Sequence, residues 1–304
     1  MSDPVRASPW DAAFGSRPGD VPQTEGLARG EAWLAAVALG GRGDYAAAVA
    51  VLAPLVGGSD PVIAALAAAT LASHRRQLGG HAAARALDGH GLRRLAEAGL
   101  LTTGQSRQDH HERPDGLGRD GADARAARSD VLLGLAADAV GLGRVGEARA
   151  LFGIESASPD AGWRAVVRRG WVAAEIELVA GAASAAVARA RAAAAAAARS
   201  GSVRHRVKSA LVLGAALAAA GERAEALELI SGCRSESITH GLRPLRWPSA
   251  LVLADLDPDR ASAHRTEASA TLHCVLRHSD PEGRRLALGS PWLPTSGFDL
   301  APNR

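Results

Sequence analysis

Two arginines and a tryptophan are spaced so that one helix would present them together. Arg164 and Arg168 are four residues apart and Trp171 follows three residues later, which places the three on one helical face. Arg204 could join them from a later segment. A guanidinium binds carboxylates or phosphates through two hydrogen bonds, and a tryptophan supplies an apolar anchor. The spacing predicts a basic, aromatic-edged binding patch. Alternatively, Trp171 belongs to the core and the arginines cap helix ends.

Two short clusters contain metal-ligating residue types. His110, His111 and Glu112 lie in a polar stretch, while Cys274 and His278 are one helical turn apart. A zinc site needs three or four converging ligands, and neither cluster supplies them, so we predict no metal. The sequence has no GxSxG, HExxH or phosphate-loop motif. We therefore predict a non-enzymatic protein without catalytic residues. If it were an enzyme, His110, His111 and Glu112 would be its candidate groups.

One glycine pattern resembles a dinucleotide-binding fingerprint. The residues from Gly141 to Gly146 read GLGRVG, but the fingerprint needs a preceding strand and an acidic residue about 20 positions later. The preceding stretch, 131–140, has a helical pattern instead. We interpret Gly141–Gly146 as a turn between helices and predict no cofactor.

The composition points to helices. Of the 304 residues, 47% are hydrophobic but only 3% are aromatic, and alanine is abundant. Strands favour β-branched and aromatic residues, whereas alanine is the best helix former, so the sequence predicts an all-α fold. The N-terminus has no apolar signal-peptide core, and two cysteines without a CxxC motif suggest reduced thiols. We expect a soluble cytoplasmic protein.

The charge is unevenly distributed along the chain. The formal net charge is +3, yet residues 160–210 carry nine basic and three acidic side chains, and residues 1–60 carry four basic and seven acidic. A basic segment can meet acidic peptides, phosphates or nucleic acid. It can equally form a solvated helix face.

Composition shifts divide the chain into three parts. Residues 1–26 are rich in proline and glycine without periodicity, which predicts a disordered tail. Residues 27–257 contain helical segments, interrupted by a predicted polar loop at 102–126. Residues 234–248 read as irregular because they contain two prolines. Residues 258–304 predict a C-terminal helix followed by a proline-rich tail.

An internal repeat runs through the helical part. A glycine is followed five residues later by alanine and preceded seven residues earlier by a small residue, at intervals of 36, 64, 38 and 40 residues. The 64-residue interval approximates one repeat plus the 102–126 loop. Each glycine would end one helix with a positive φ before a second helix folds back. The five glycines are Gly43, Gly79, Gly143, Gly181 and Gly221.

This pattern resembles the tetratricopeptide repeat family as a degenerate member. The unit from Trp33 to Ala48 contains Gly43-Asp44-Tyr45-x-x-Ala48 and closes at Asp60-Pro61. Asp88 and Ala190 depart from it, standing where the family prefers a large apolar residue. The resemblance implies a right-handed α-solenoid of antiparallel helix hairpins, with about five repeats plus C-terminal helices; an ordinary helical bundle is the alternative.

The resemblance also implies a function. Family members bind a peptide on a concave face formed mainly by the first helix of each hairpin. We therefore expect a scaffold or adaptor that binds an extended or acidic segment of another protein. The alternative is a nucleic-acid-binding or transcription-regulatory module that uses the basic 160–210 region. The predicted partner contacts are Trp33, Arg76, Arg164, Arg168, Trp171 and Lys208.

Overall fold

The computed structural model describes residues 8–101, 122–157 and 162–295, and these residues form helices and turns without a β-strand. The predicted all-α fold is therefore confirmed. None of the described helices is long and apolar enough to cross a membrane.

Fourteen α-helices follow one another in the described part of the chain, with one short 3-10 turn at Pro258–Arg260. Their bounds are α1 Pro9–Phe14, α2 Arg29–Arg42, α3 Tyr45–Val56, α4 Pro61–Gln77, α5 His81–Glu97, α6 Ala124–Gly141, α7 Val145–Ser156, α8 Trp163–Val179, α9 Ala183–Arg199, α10 Val203–Ala219, α11 Arg223–Thr239, α12 Arg243–Leu256, α13 Ala261–Arg277 and α14 Pro281–Leu288.

The helices from α2 to α11 pack in consecutive pairs joined by short turns: α2 with α3, α4 with α5, and so on. The five repeat glycines lie in these turns, and each has a φ between 73° and 83°. Residues other than glycine rarely adopt this left-handed conformation. The predicted role of these glycines as helix-ending residues is confirmed.

Small residues bring paired helices close together. A Cβ built on Gly170 in α8 would lie 2.5 Å from the Cβ of Ala193 in α9, which is inside the normal contact distance. The alanine-rich helix α9 thus packs directly against the backbone of α8. Each alanine buries little apolar area, but the close approach of the two helices adds van der Waals contacts.

The first helices of successive pairs also contact one another, from α2 through α4, α6, α8 and α10 to α12, and α12 then contacts α2. At this last contact Arg243 Nε donates to the Arg42 carbonyl at 2.6 Å. Next to it, Ala46 N in α3 donates to the carbonyl of His278, which follows α13, at 2.7 Å. Buried Tyr45, Leu276 and other apolar residues pack across it. These six helices therefore surround a central space.

The prediction of a disordered tail over 1–26 is wrong for residues 9–14, which form α1. Ser8 caps this helix, and Pro9 suits its first position. Trp10 and Phe14 are four residues apart, so one face of the short helix is aromatic. Phe14 is buried against α2, α8 and α10, and this tertiary burial orders a segment that shows no periodicity of its own.

Three other boundaries differ from the sequence prediction. Helix α6 begins at Ala124, where Asp123 accepts from Ala126 N at 2.7 Å, so the predicted 102–126 loop extends too far; residues 102–121 lie outside the described part. Helices α11 and α12 cover most of 234–248, with Pro244 in the first turn of α12. Helix α14, capped by Asp280, was not predicted.

Candidate functional site

A cavity of about 390 Å³ lies within the circle of six helices. Its wall comes from α2, α4, α6, α8, α10 and α12, together with Phe14 and the segment after α14. Leu293 from that segment reaches Gly79 at the end of α4. Its neighbour Trp292 lines the cavity and is 70% exposed, so the cavity communicates with the surface. A space of this volume accommodates a small molecule or a few side chains.

An aromatic cluster bounds one part of the cavity beside the first turns of α8 and α10. The ring of Phe14 lies 5.8 Å from His205 and 6.4 Å from Trp163. Trp171 stacks on His205 at 5.5 Å, and its Nε1 donates to Ser209 Oγ at 2.8 Å. The Arg164 guanidinium sits 4.4 Å from the Phe14 centroid, a cation–π contact. The cavity wall therefore combines flat apolar faces with cationic groups.

Arg76 on α4 is held by two fully buried carboxylates. Its Nη2 donates to Asp88 Oδ2 at 2.6 Å and its Nε donates to Asp138 Oδ1 at 2.7 Å. Burial alone would lower the pKa of Arg76, but the two carboxylates outweigh burial and raise it. Burial also raises the pKa of Asp88 well above its usual range, against the opposing effect of Arg76. This cation is compensated by its neighbours.

Asp130 on α6 holds the two arginines of α8. Arg164 Nη2 donates to Asp130 Oδ2 at 2.5 Å, and Arg168 Nη1 donates to Oδ1 of the same carboxylate. Asp130 is 5% exposed, so this ion pair is shielded from solvent. One carboxylate therefore serves two guanidinium groups.

Arg204 and Lys208 on α10 have no hydrogen bond or ion pair to a carboxylate among the described residues, although both line the cavity. The buried Nε of Arg204 has no hydrogen-bond acceptor there. Lys208 Nζ lies 4.3 Å from the Trp171 ring centroid. Burial lowers the pKa of Arg204 to about 10, with further lowering by Arg164 and Arg168. These two cations remain uncompensated by direct partners.

The same positive environment acts on the neighbouring titratable groups. Burial lowers the pKa of Lys208 to about 8; Glu175 opposes this shift, while Arg168, Arg76 and Arg204 add to it. Burial, Arg204 and Arg164 lower the pKa of His205 well below its usual value. The wall near α10 therefore disfavours additional positive charge.

The structure brings five of the six predicted contact residues to the cavity wall: Arg76, Arg164, Arg168, Trp171 and Lys208. Trp33 is the exception. It is fully buried, and its Nε1 donates to Thr70 Oγ1 at 2.9 Å. The prediction that Trp33 contacts a partner is therefore corrected: it is a core residue, whose position early in α2 packs it against Phe14.

Several residues of the cavity wall were not predicted from the sequence. Asp130 lies on α6, and its pairing with α8 depends on contacts between elements far apart in sequence. Trp247 on α12 and Trp292 beyond α14 also line the cavity, although both fall in stretches that read as irregular. Their tryptophan side chains were the available signal, since aromatic residues are rare in this chain.

No three His, Cys, Asp or Glu side chains of the described residues are grouped so that they could hold a metal ion. Cys274 Sγ lies 4.0 Å from His278 Nδ1. His110, His111 and Glu112 lie outside the described residues. Gly143 has a φ of 73° in the turn between α6 and α7, so the GLGRVG stretch follows a helix, as predicted, and not a strand.

Comparison with known proteins does not assign the chain to a family. The sequence matches no protein-family model and is significantly similar to no curated protein.

Proposed function

We propose that this chain is a non-enzymatic protein-interaction module whose central cavity binds an acidic segment of a partner protein. The observation that carries the proposal is the pair Arg204 and Lys208: both line the cavity, and neither has a carboxylate partner among the described residues. Burying a charge is costly unless the charge is paired. An acidic side chain entering the cavity would supply the missing partner.

The aromatic residues of the wall favour a peptide segment as the ligand over an isolated anion. Trp171 lies beneath Lys208, and Trp247 and Trp292 line the same space. Tryptophan and arginine are the residue types that most often dominate binding energy at protein interfaces. Acidic side chains of the partner would pair with the cations, while its apolar groups would pack on the indole rings.

We also propose the fold that the sequence resemblance implies: a right-handed α-solenoid of tetratricopeptide-like hairpins. Helix pairs turning at positive-φ glycines and the contacts between successive first helices support it. In such an arrangement the first helices form the concave face, which agrees with the cavity wall. The two free cysteines suit a reducing compartment, and we propose a cytoplasmic location.

The nucleic-acid alternative has weaker support, because the basic charge of residues 160–210 is divided between two sides. Arg164, Arg168, Arg204 and Lys208 line the cavity and do not belong to the outer surface of the helices. On the outer side, Arg191 pairs with Glu225 and Arg206 with Glu236. A phosphate backbone needs an exposed, continuous basic surface.

Selection of random decapeptides displayed on phage tests the proposed function. We expect the selected peptides to be enriched in Asp and Glu, and their binding to be lost with the variant Arg204→Gln/Lys208→Met. Arg206→Gln, on the same helix but paired with Glu236 outside the cavity, is the matched control and should retain binding. Circular dichroism establishes equal helicity. Selected peptides without acidic enrichment, or insensitive to the double variant, would contradict the proposal.

A further inference from the structure

Four of the five cations that line the cavity form two matched pairs. Arg164 and Arg168 are one turn apart on α8, and Arg204 and Lys208 are one turn apart on α10. Helices α8 and α10 contact each other, and all four side chains line the cavity. The four cations are mutually close enough for Arg164 and Arg168 to lower the pKa of Arg204. Like charges gathered in this way repel one another unless an anion lies between them.

The hydrogen-bond donors of the α10 pair, Arg204 and Lys208, remain available. A guanidinium has five N–H donors and an ammonium has three. Among the described residues, neither the Arg204 nor the Lys208 side chain donates a hydrogen bond. On α8, Asp130 already accepts from both arginines. The unused donors therefore belong mainly to α10, on the wall next to Arg168.

The charge balance around the cavity is positive. Five cations, Arg76 and the two pairs, stand with four carboxylates, Asp88, Asp130, Asp138 and Glu175, which leaves one positive charge in excess. This excess favours an anionic ligand in the cavity over a neutral or cationic one.

We propose that the cavity contains a phosphoryl subsite, in which Arg168, Arg204 and Lys208 bind the terminal oxygens of a phosphate monoester. This inference rests on the proposed function, because it specifies the acidic group that the partner segment carries. A phosphate monoester has three strong acceptor oxygens and a charge between about −1.5 and −2 at neutral pH. A carboxylate has two oxygens and a single charge, so it leaves more of the free donors unsatisfied and part of the excess charge uncompensated.

The cavity also has room for what the phosphoryl group is attached to. Its volume of about 390 Å³ exceeds that of one phosphate, and Trp171 lies directly beside Lys208. A side chain or a small aromatic group could extend along the indole faces. The phosphoryl group could therefore come from a phosphorylated side chain of a partner protein or from a free small phosphate ester.

Isothermal titration calorimetry with the full chain tests the subsite through three probes: phenyl phosphate, phenyl sulfate and benzoate. Phenyl sulfate keeps the three oxygens but has one charge, and benzoate has a carboxylate. We expect phenyl phosphate to bind about tenfold more tightly than either of the other two. Phenyl sulfate has less negative charge, which weakens its hydrogen bonds to the cations, and benzoate also lacks one acceptor oxygen; the loss of one charge-assisted hydrogen bond costs roughly this factor. Equal affinities for the three probes, or no binding of phenyl phosphate, would overturn the inference.

Variants locate the binding. Arg204→Gln and Lys208→Met should each lower the affinity for phenyl phosphate by about tenfold or more, whereas Arg206→Gln should change it by less than about twofold. Because Lys208 is the only lysine of the chain, acylation by a lysine-specific reagent provides a second readout in the unmutated protein. Phenyl phosphate should protect Lys208 from acylation. A loss of affinity with Arg206→Gln equal to that of the cavity variants, or unprotected Lys208, would place the anion elsewhere and overturn the inference.

A phosphotyrosine-containing hexapeptide and its unphosphorylated form separate the inference from the proposed function. If the phosphorylated peptide binds like phenyl phosphate, both stand. If phenyl phosphate binds and neither the phosphorylated hexapeptide nor any peptide from the phage selection does, the phosphoryl subsite stands with a free ester as its ligand, and the proposed function fails. If acidic peptides bind and phenyl phosphate does not, the proposed function stands and the phosphoryl subsite is overturned.

Discussion

Two cationic regions of the cavity wall differ in how their charge is balanced. Arg76 donates to Asp88 and Asp138, both fully buried, whereas Arg204 and Lys208 have no such partner among the described residues. The first arrangement joins α4, α5 and α6 and is complete without a ligand. The second leaves donors and charge unused. We infer that Arg76 stabilises the fold, whereas Arg204 and Lys208 are available to bind an anion.

The largest expected effect is on stability, from Arg76→Met. Removal of Arg76 leaves Asp88 and Asp138 buried without their cation, and breaking a buried ion pair in this way costs about 3–5 kcal/mol. Urea unfolding at pH 7 measures the change. The control Arg206→Met removes an exposed ion pair and should change stability by less than about 1 kcal/mol. Equal losses in the two variants would remove the distinction between the regions.

Acid should destabilise the protein through the histidines near Arg204. Burial, Arg204 and Arg75 lower the pKa of His74 to about 3, and His205 is also shifted well below its usual value. Below pH 6.5 the unfolded chain therefore binds more protons than the folded one, and stability falls as the pH falls. His205→Phe should reduce this dependence by about 1 kcal/mol per pH unit between pH 6 and pH 4.5. Urea unfolding across that range checks it, and an unchanged slope would show that His205 titrates normally.

Protonation of Lys208 should destabilise the fold, whereas protonation of a lysine in an ion pair stabilises it. Its pKa is about 8 in the folded protein, below the ordinary 10.5, so its protonated form destabilises the fold at pH 7 and stability rises as the pH rises from about 8 towards 10.5. Lys208→Met should be more stable than the unmutated chain by about 1–2 kcal/mol at pH 7, after allowance for solvent screening. The difference should shrink towards pH 10. A less stable Lys208→Met variant at pH 7 would show that Lys208 supports the fold.

Arg204→Met should have the smallest effect on stability and contrasts directly with Arg76→Met. The substitution removes a cation that has no acidic partner, so we expect a change within about 1 kcal/mol of zero, or a gain. Thermal unfolding monitored by circular dichroism measures it. A loss comparable to that of Arg76→Met would mean that Arg204 has a structural partner and is not available to a ligand.

The sequence was sufficient for the helical class and for the turns, since alanine content and the recurring glycines act locally. It also indicated Arg168 and Trp171, because helical spacing places them on a common face, and Lys208, because the repeat places it at the position that corresponds to Arg168. It could not show that Trp33 is buried, since burial depends on Phe14 arriving from a segment without periodicity. It could not distinguish Arg76 from Arg204 either, because their carboxylate partners are set by packing between helices.

The most direct test uses the fact that Lys208 is the only lysine of the chain. Labelling with lysine enriched in ¹³C at the ε-carbon gives one NMR signal, whose pH titration reports the pKa of Lys208 with and without phenyl phosphate. Glu175, Arg168, Arg76 and Arg204 are the charged groups that act on it. We predict a pKa of about 8 in the free protein and a higher value with phenyl phosphate bound, since an anion favours the protonated amine. A pKa near the ordinary 10.5 that phenyl phosphate leaves unchanged would contradict an uncompensated, anion-binding cation at this position.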